Sequence, residues 1–228
     1  MKAFRIFFLI VTVVTLWLPL RSAAGGTWAA LSHSPPGPAG HFLLLSDGTV
    51  IAEDISTNWG PCWFRLTPDI HGSYANGTWS RIAPMNCVRL DFSSDVLTNG
   101  NLFVAGGEYG PGTTNAEIYN PVSNSWSELT LPAGVITTNN VSYSDGQNSA
   151  GFSDCGSILL SDGRVLMTPV FPATNGNSAV YDPVSDTWTT PALVRGYDED
   201  EATLLKLPDD SVLVIDSRWP DGTGTNSE

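Results

Sequence analysis

Basic side chains are scarce in this chain. Ten Lys and Arg stand against 23 Asp and Glu, for a formal net charge of −13 at pH 7. So acidic a surface repels nucleic acid and anionic lipid, which removes both as expected partners. Histidine is scarcer still. His33, His41 and His71 are far apart, none forms a pair at metal-ligand spacing, and each reads as a surface or packing residue. The three cysteines, Cys62, Cys87 and Cys155, are odd in number, so at least one has no disulfide mate within the chain. Cys62 and Cys87 could pair; the plain reading is three small buried residues. No helical period is sustained, and 22 Gly with 16 Pro argue against long helices. There is no G-x-S-x-G elbow and no phosphate loop. The glycine-rich run from Gly106 to Gly112 has no helix after it, so it reads as a strand end and its loop.

One apolar run stands out, Ile6 to Leu18, broken only by Thr12 and Thr15. Lys2 and Arg5 precede it and Ser22-Ala23-Ala24 follow it. Thirteen residues are too few for a bilayer core, which needs about 20. The three-part layout is that of a secretory signal peptide over residues 1–24, with export to a secreted or periplasmic location and no membrane span after cleavage. Its removal takes away Lys2, Arg5 and Arg21 and no acid, giving −13 − 3 = −16 for the mature chain. Export permits disulfides and makes Asn76 and Asn140 candidate glycosylation sites. Residues 25–39, rich in Pro, Gly and Ser, read as a linker or an edge strand.

A repeated phrase occupies the remainder. LLSDGTVIAE begins at Leu44, LTNGNLFVAGG at Leu97, LLSDGRVLMTP at Leu159 and KLPDDSVLVID at Lys206. Asp-Gly or Asn-Gly between apolar runs signals a hairpin, with a tight two-residue turn that wants positive φ. The second copy continues to AEIYNPVSNSW and the third to SAVYDPVSDTW. Tyr119 precedes Trp126, and Tyr181 precedes Trp188, by seven residues in both copies. Pro121 and Pro183 mark turns between them. One unit is therefore strand, turn, strand, variable loop, strand ending in Tyr, Pro turn, strand opening at Trp. The turn positions 47, 99, 162 and 209 are 52, 63 and 47 residues apart. Four strands per period of about 50 is the arithmetic of a propeller blade.

Gly106-Gly107, Tyr119 and Trp126 together resemble the signature of the Kelch-repeat β-propellers. The third repeat keeps Tyr181 and Trp188 with Thr168-Pro169 in place of the Gly pair. The first has Leu66 at the Tyr position and extra residues before Trp79. The resemblance covers residues 40–228 and implies an all-β Kelch-type propeller, incomplete at about three and a half four-stranded blades. The expected blades are 40–85, 88–132, 152–194 and 198–228, the last incomplete. Aromatics at one offset in every repeat are expected to fill the gap between neighbouring blades; sugar stacking is the alternative.

The functional expectation is a binding or interaction scaffold, with a glycan or protein ligand and no cofactor. The loops between second and third strands vary while the strands repeat, so recognition is expected there. Trp59, Glu108, Tyr109, Phe171, Asn175 and Trp219 are the candidate ligand residues. Asp198-Glu199-Asp200-Glu201 reads as a solvated acidic turn, lacking the spacing of a Ca²⁺ loop. A second resemblance is to copper radical oxidases of the galactose oxidase type, which cross-link a Cys to a copper-binding Tyr of the next blade. Cys155 and Tyr197 are the matching pair here, and they imply copper as the alternative cofactor. They fall at different offsets from their hairpin turns, and the family's other Tyr and His ligands would come from later blades. An intact mass of the exported protein should lack residues 1–24; retention of Lys2 and Arg5 would show an uncleaved anchor.

Overall fold

Short stretches of alternating apolar residues make this chain a succession of β-strands. The computed structural model describes residues 26–56, 60–107, 115–129, 141–142, 148–149, 155–168, 178–189 and 203–215. The residues up to Ala30 separate as a unit of their own, in which residues 26–30 have no regular structure and Trp28 is exposed. The unit from Leu31 onward carries the strands. Its first sheet pairs β1 (Ala39–Leu44), β2 (Val50–Asp54), β3 (Trp63–Thr67) and β4 (Thr78–Ile82) in chain order. The second pairs β5 (Ser93–Val96), β6 (Leu102–Ala105), β7 (Ala116–Asn120) and β8 (Ser125–Leu129) in the same way. A two-stranded ribbon of β9 (Val141–Ser142) and β10 (Asn148–Ser149) follows. The third four-stranded sheet is β11 (Gly156–Leu159), β12 (Val165–Thr168), β13 (Ala179–Asp182) and β14 (Thr187–Thr189). A hairpin of β15 (Thr203–Lys206) and β16 (Val212–Ile215) begins a fourth. Among the described residues the pairing is antiparallel throughout, and their sheets are not closed into a ring.

The hairpin turns differ from the two-residue form that Asp-Gly suggests. In the first, Leu45 N–H donates to Thr49 O and Gly48 N–H donates to Leu45 O, which makes a three-residue loop. The same two bonds recur at Leu97, Leu160 and Leu207. Only the last loop residue takes positive φ: Gly48 at 80°, Gly100 at 85° and Gly163 at 88°. The Asp or Asn before it stays at negative φ and works through its side chain instead. Asp47, Asn99, Asp162 and Asp209 each accept the backbone N–H two residues on, at 2.9–3.1 Å. In the fourth copy Asp210 itself takes φ 67°, a conformation that costs a non-glycine residue roughly 1–2 kcal/mol. Ser161, in the preceding turn, donates to the Asp210 carboxylate and so fixes that residue in place.

Side-chain alternation sends successive residues of each central strand into different interfaces. On β6, Leu102 and Val104 pack toward the first sheet, while Phe103 and Ala105 pack toward the third. All four are fully buried. Tyr119 lies directly opposite Trp126, and Tyr181 opposite Trp188. Leu66 lies opposite Trp79 at the corresponding place in the first sheet. Each Tyr packs onto the sheet before it. Tyr119 joins the cluster of Ile51 and Trp63, and Tyr181 stacks on Phe103 with ring centroids 5.6 Å apart.

Polar bonds then fix the spacing of the sheets. The Tyr119 hydroxyl donates to Asn124 Oδ1 at 2.9 Å and accepts from Arg65 Nη2 at 2.8 Å. Asn124 Oδ1 also accepts Ala83 N–H at 3.0 Å, and Trp126 Nε1 donates to Ala83 O at 2.8 Å. In the third sheet the Tyr181 hydroxyl donates to Asp186, which holds φ 52° just as Asn124 holds 51°.

The Gly pair sits at the end of β6. Gly106 has φ 69° and Gly107 φ 130°. A Cβ on Gly107 would lie 2.9 Å from Leu90 O and 3.2 Å from Arg89 Cβ. Gly107→Ala should therefore cost about 2 kcal/mol or more, from the φ and the backbone clash together. A urea unfolding midpoint no lower than that of the parent would refute that need for glycine.

Candidate functional site at the loop-bearing end

The two ends of each sheet are built differently. One end holds the hairpin turns and the Pro turns, and its polar groups repeat one set of local bonds. Asn120 Oδ1 accepts Val122 and Ser123 N–H, and Asp182 Oδ1 accepts Val184 and Ser185 N–H. The other end holds the start of each first strand and the end of each second strand. The variable connections leave from here. Trp59, Glu108, Tyr109, Phe171, Asn175 and Trp219 belong to those connections and lie outside the described residues, as do Tyr197 and the acidic run from Asp198.

At this end a polar group lies between the first and second sheets. β1 has a bulge where its register to β2 shifts between Gly40 and Phe42. His41 is the extra residue and takes φ 46°. Its Nε2 lies 2.8 Å from Ser94 Oγ on β5, and its ring centroid is 4.8 Å from Phe92 and 6.2 Å from Trp63. Asp91, next to Phe92, has φ 53°. With Asp210, His41 and Asp91 are the positive-φ non-glycine residues outside the Pro turns among those described. Such strain persists only where surrounding contacts hold it.

Glu53 lies opposite Gly40 on one side and Trp63 on the other. It shares the face of Ile51, which packs toward the second sheet. It is 3% exposed and makes no hydrogen bond among the described residues. Trp63 is fully buried, and its indole N–H also has no partner among the described residues. Burial therefore raises the Glu53 pKa to about 7, and the nearby Asp91 and Asp54 carboxylates add to the shift. Burial likewise lowers the His41 pKa, against an opposing pull from Asp91. Asp54 behaves differently although it too is buried. Hydrogen bonds from Ser56 and from Arg81 Nη1, 3.1 Å away, overcome desolvation and hold its carboxyl below the usual range.

A buried charge pair also lies between these sheets and is densely bonded. Arg89 Nη2 meets Glu117 Oε1 at 2.7 Å, both side chains wholly buried. Glu117 also accepts Asn86 and Cys87 N–H, and Arg89 donates to Gly106 O and Asn115 O. Removing one partner of such a pair costs about 3–5 kcal/mol. Its role is structural: it anchors the segment leading into β5 next to the Gly pair.

Cys62 and Cys87 are free thiols and not joined; Cys87 Sγ accepts from Asn115 Nδ2 at 2.8 Å. Cys155 is buried in the cluster between the second and third sheets, its Sγ 3.5 Å from Ser93 Oγ. Among the described residues, no three His, Cys, Asp or Glu side chains converge as metal ligands.

Comparison with known proteins gives the class. Residues 92–130 match the Kelch motif. A solved structure of YjhT superposes with a TM-score of 0.50 at 16% identity, over 83% of this chain and 62% of that one. A novel fungal alcohol oxidase of the AA5 family, in complex with copper, gives 0.32 at 15% identity, over 78% and 58%. The chain thus spans less than two thirds of either structure's length. No curated protein matches the sequence. The fold is that of a Kelch-type β-propeller, and the second sheet is a Kelch repeat.

Sequence reading passed over His41, Glu53 and Asp91. His41 reads from sequence as a surface or packing residue, and only the bulge shows that it leaves the strand register. Burial holds the Glu53 pKa at about 7, above the ordinary 4.5 of a glutamate. The folded protein therefore holds this proton more tightly than the unfolded chain does. The group favours folding most below pH 4.5, and that advantage is lost as pH rises through 7. Glu53→Gln should remove roughly 2 kcal/mol of pH-dependent destabilisation between pH 5 and 8, after allowance for screening. Thermal unfolding across that range checks it; parallel profiles for parent and variant would contradict it.

Proposed function

We propose that this chain is an exported Kelch-type propeller acting as a binding scaffold, whose glycan or protein ligand meets the loop-bearing end. One observation carries the reading. A buried acid without a hydrogen bond among the described residues, Glu53, lies at the end from which the variable connections leave, whereas the hairpin turns at the other end repeat one set of local bonds. Rigid strands carrying unlike loops are a common arrangement for recognition. Groups held without internal partners are available to an external one.

Full-length exported protein, immobilised and probed with a panel of neutral oligosaccharides, tests the glycan form. Saturable retention should be weakened by His41→Ala and left intact by Asp47→Ala at the turn-bearing end. Equal weakening by both would remove the assignment of the end. A peptide mass map offers a separate check. A Cys155–Tyr197 cross-linked peptide lighter by two hydrogens would replace this reading with that of a copper radical oxidase.

A further inference from the structure

We propose that Glu53, with Asp91 and His41 beside it, receives a protonated amine of the ligand. This rests on the reading of the loop-bearing end as the ligand surface and names the chemistry it would recognise. The residues offer acceptors in excess of donors. Two carboxylates, Glu53 and Asp91, lie close enough to raise the Glu53 proton affinity, and Asp54 adds to the same field. Among the described residues, the arginines of and between these two sheets are bonded elsewhere. Arg81 is on Asp54, Arg89 on Glu117 and Arg65 on Tyr119. Glu53 is buried without a hydrogen bond among the described residues, and a buried carboxylate in that condition is costly. Trp63, directly opposite Glu53, packs edge-on to Phe92 with ring centroids 5.9 Å apart, so aromatic rings rather than donors border the acid.

The chemistry selects among occupants. A neutral hydroxyl can bond to Glu53 but does nothing for the repulsion between carboxylates. A metal ion needs converging ligands, which the described residues do not supply. An ammonium group brings three N–H donors and a positive charge on a narrow stem. It can reach a buried acid past the exposed Asp91 and His41. An amino sugar and a protein lysine both carry this group.

Calorimetry on the full exported chain at physiological salt tests the proposal with four probes. They are a glucosamine oligomer, its N-acetylated twin, a lysine-rich peptide and its acetylated twin. At least one amine probe should bind about tenfold more tightly than its acetylated twin. Which of the two does so separates amino sugar from lysine. Glu53→Gln should abolish the preference, and Asp91→Asn, an exposed change that spares the core, should reduce it. Binding of the lysine peptide should also strengthen from about pH 6 to pH 8 in the parent, as Glu53 ionises, and not in Glu53→Gln. A preference that survives in both variants reports only the acidic surface and overturns the proposal. Equal binding of amine and acetylated probes overturns it too, while leaving the glycan scaffold in place. If no probe binds and the neutral panel is also blank, both readings fall.

Discussion

Everything in this fold depends on one sheet covering the face of the next. The strands are too short and the sheets too small to stand alone, and the central strands are apolar on both sides. β6 shows the consequence most plainly, because its four residues are buried in two different interfaces. An aromatic side chain buries about 150–250 Å², so an uncovered Tyr–Trp pair would leave a large wet apolar surface on each sheet. Association of neighbours removes it, and the hydroxyl of the Tyr supplies direction that dispersion alone lacks. Tyr119 bonds at once to Asn124 in its own turn and to Arg65 in the preceding sheet.

The buried polar groups between the first and second sheets divide by how well they are satisfied. Glu117 and Arg89 share a dense set of bonds, so their desolvation is offset and the pair fixes where β5 begins. Glu53, at the same interface, has no such set. Two carboxylates in comparable burial thus differ because one meets a guanidinium and backbone N–H groups while the other meets aromatic rings and further acids. The first kind specifies a fold; the second keeps its proton well above the usual carboxylate range.

The division between ends follows from the same meander. Tight turns need little chain and repeat a common set of side-chain to backbone bonds. The longer connections leave from the other end, free to vary because the strands beneath them do not. His41, held by Phe92, Trp63 and Ser94, and Asp91 sit at that end in conformations that ordinary residues avoid. Repeating strands and variable connections are therefore separate layers of one repeat.

Much of the scaffold was legible from residue order. Asp-Gly between apolar runs, and Tyr seven residues before Trp, are local signals, and local hydrogen bonds enforce them. The turn form was misread because a dipeptide does not reveal which residue takes positive φ; that depends on how the flanking strands pair. The polar group was not legible at all. His41, Glu53 and Asp91 are separated in sequence and carried no shared spacing. A bulge in β1 and the approach of a second sheet bring them together. The sequence alone determined the strands, the turn positions and the repeat, because those rest on neighbours along the chain. Only the tertiary structure decided which buried acid is neutralised and which is left wanting, because burial and counter-charge come from residues that meet only when the sheets stack.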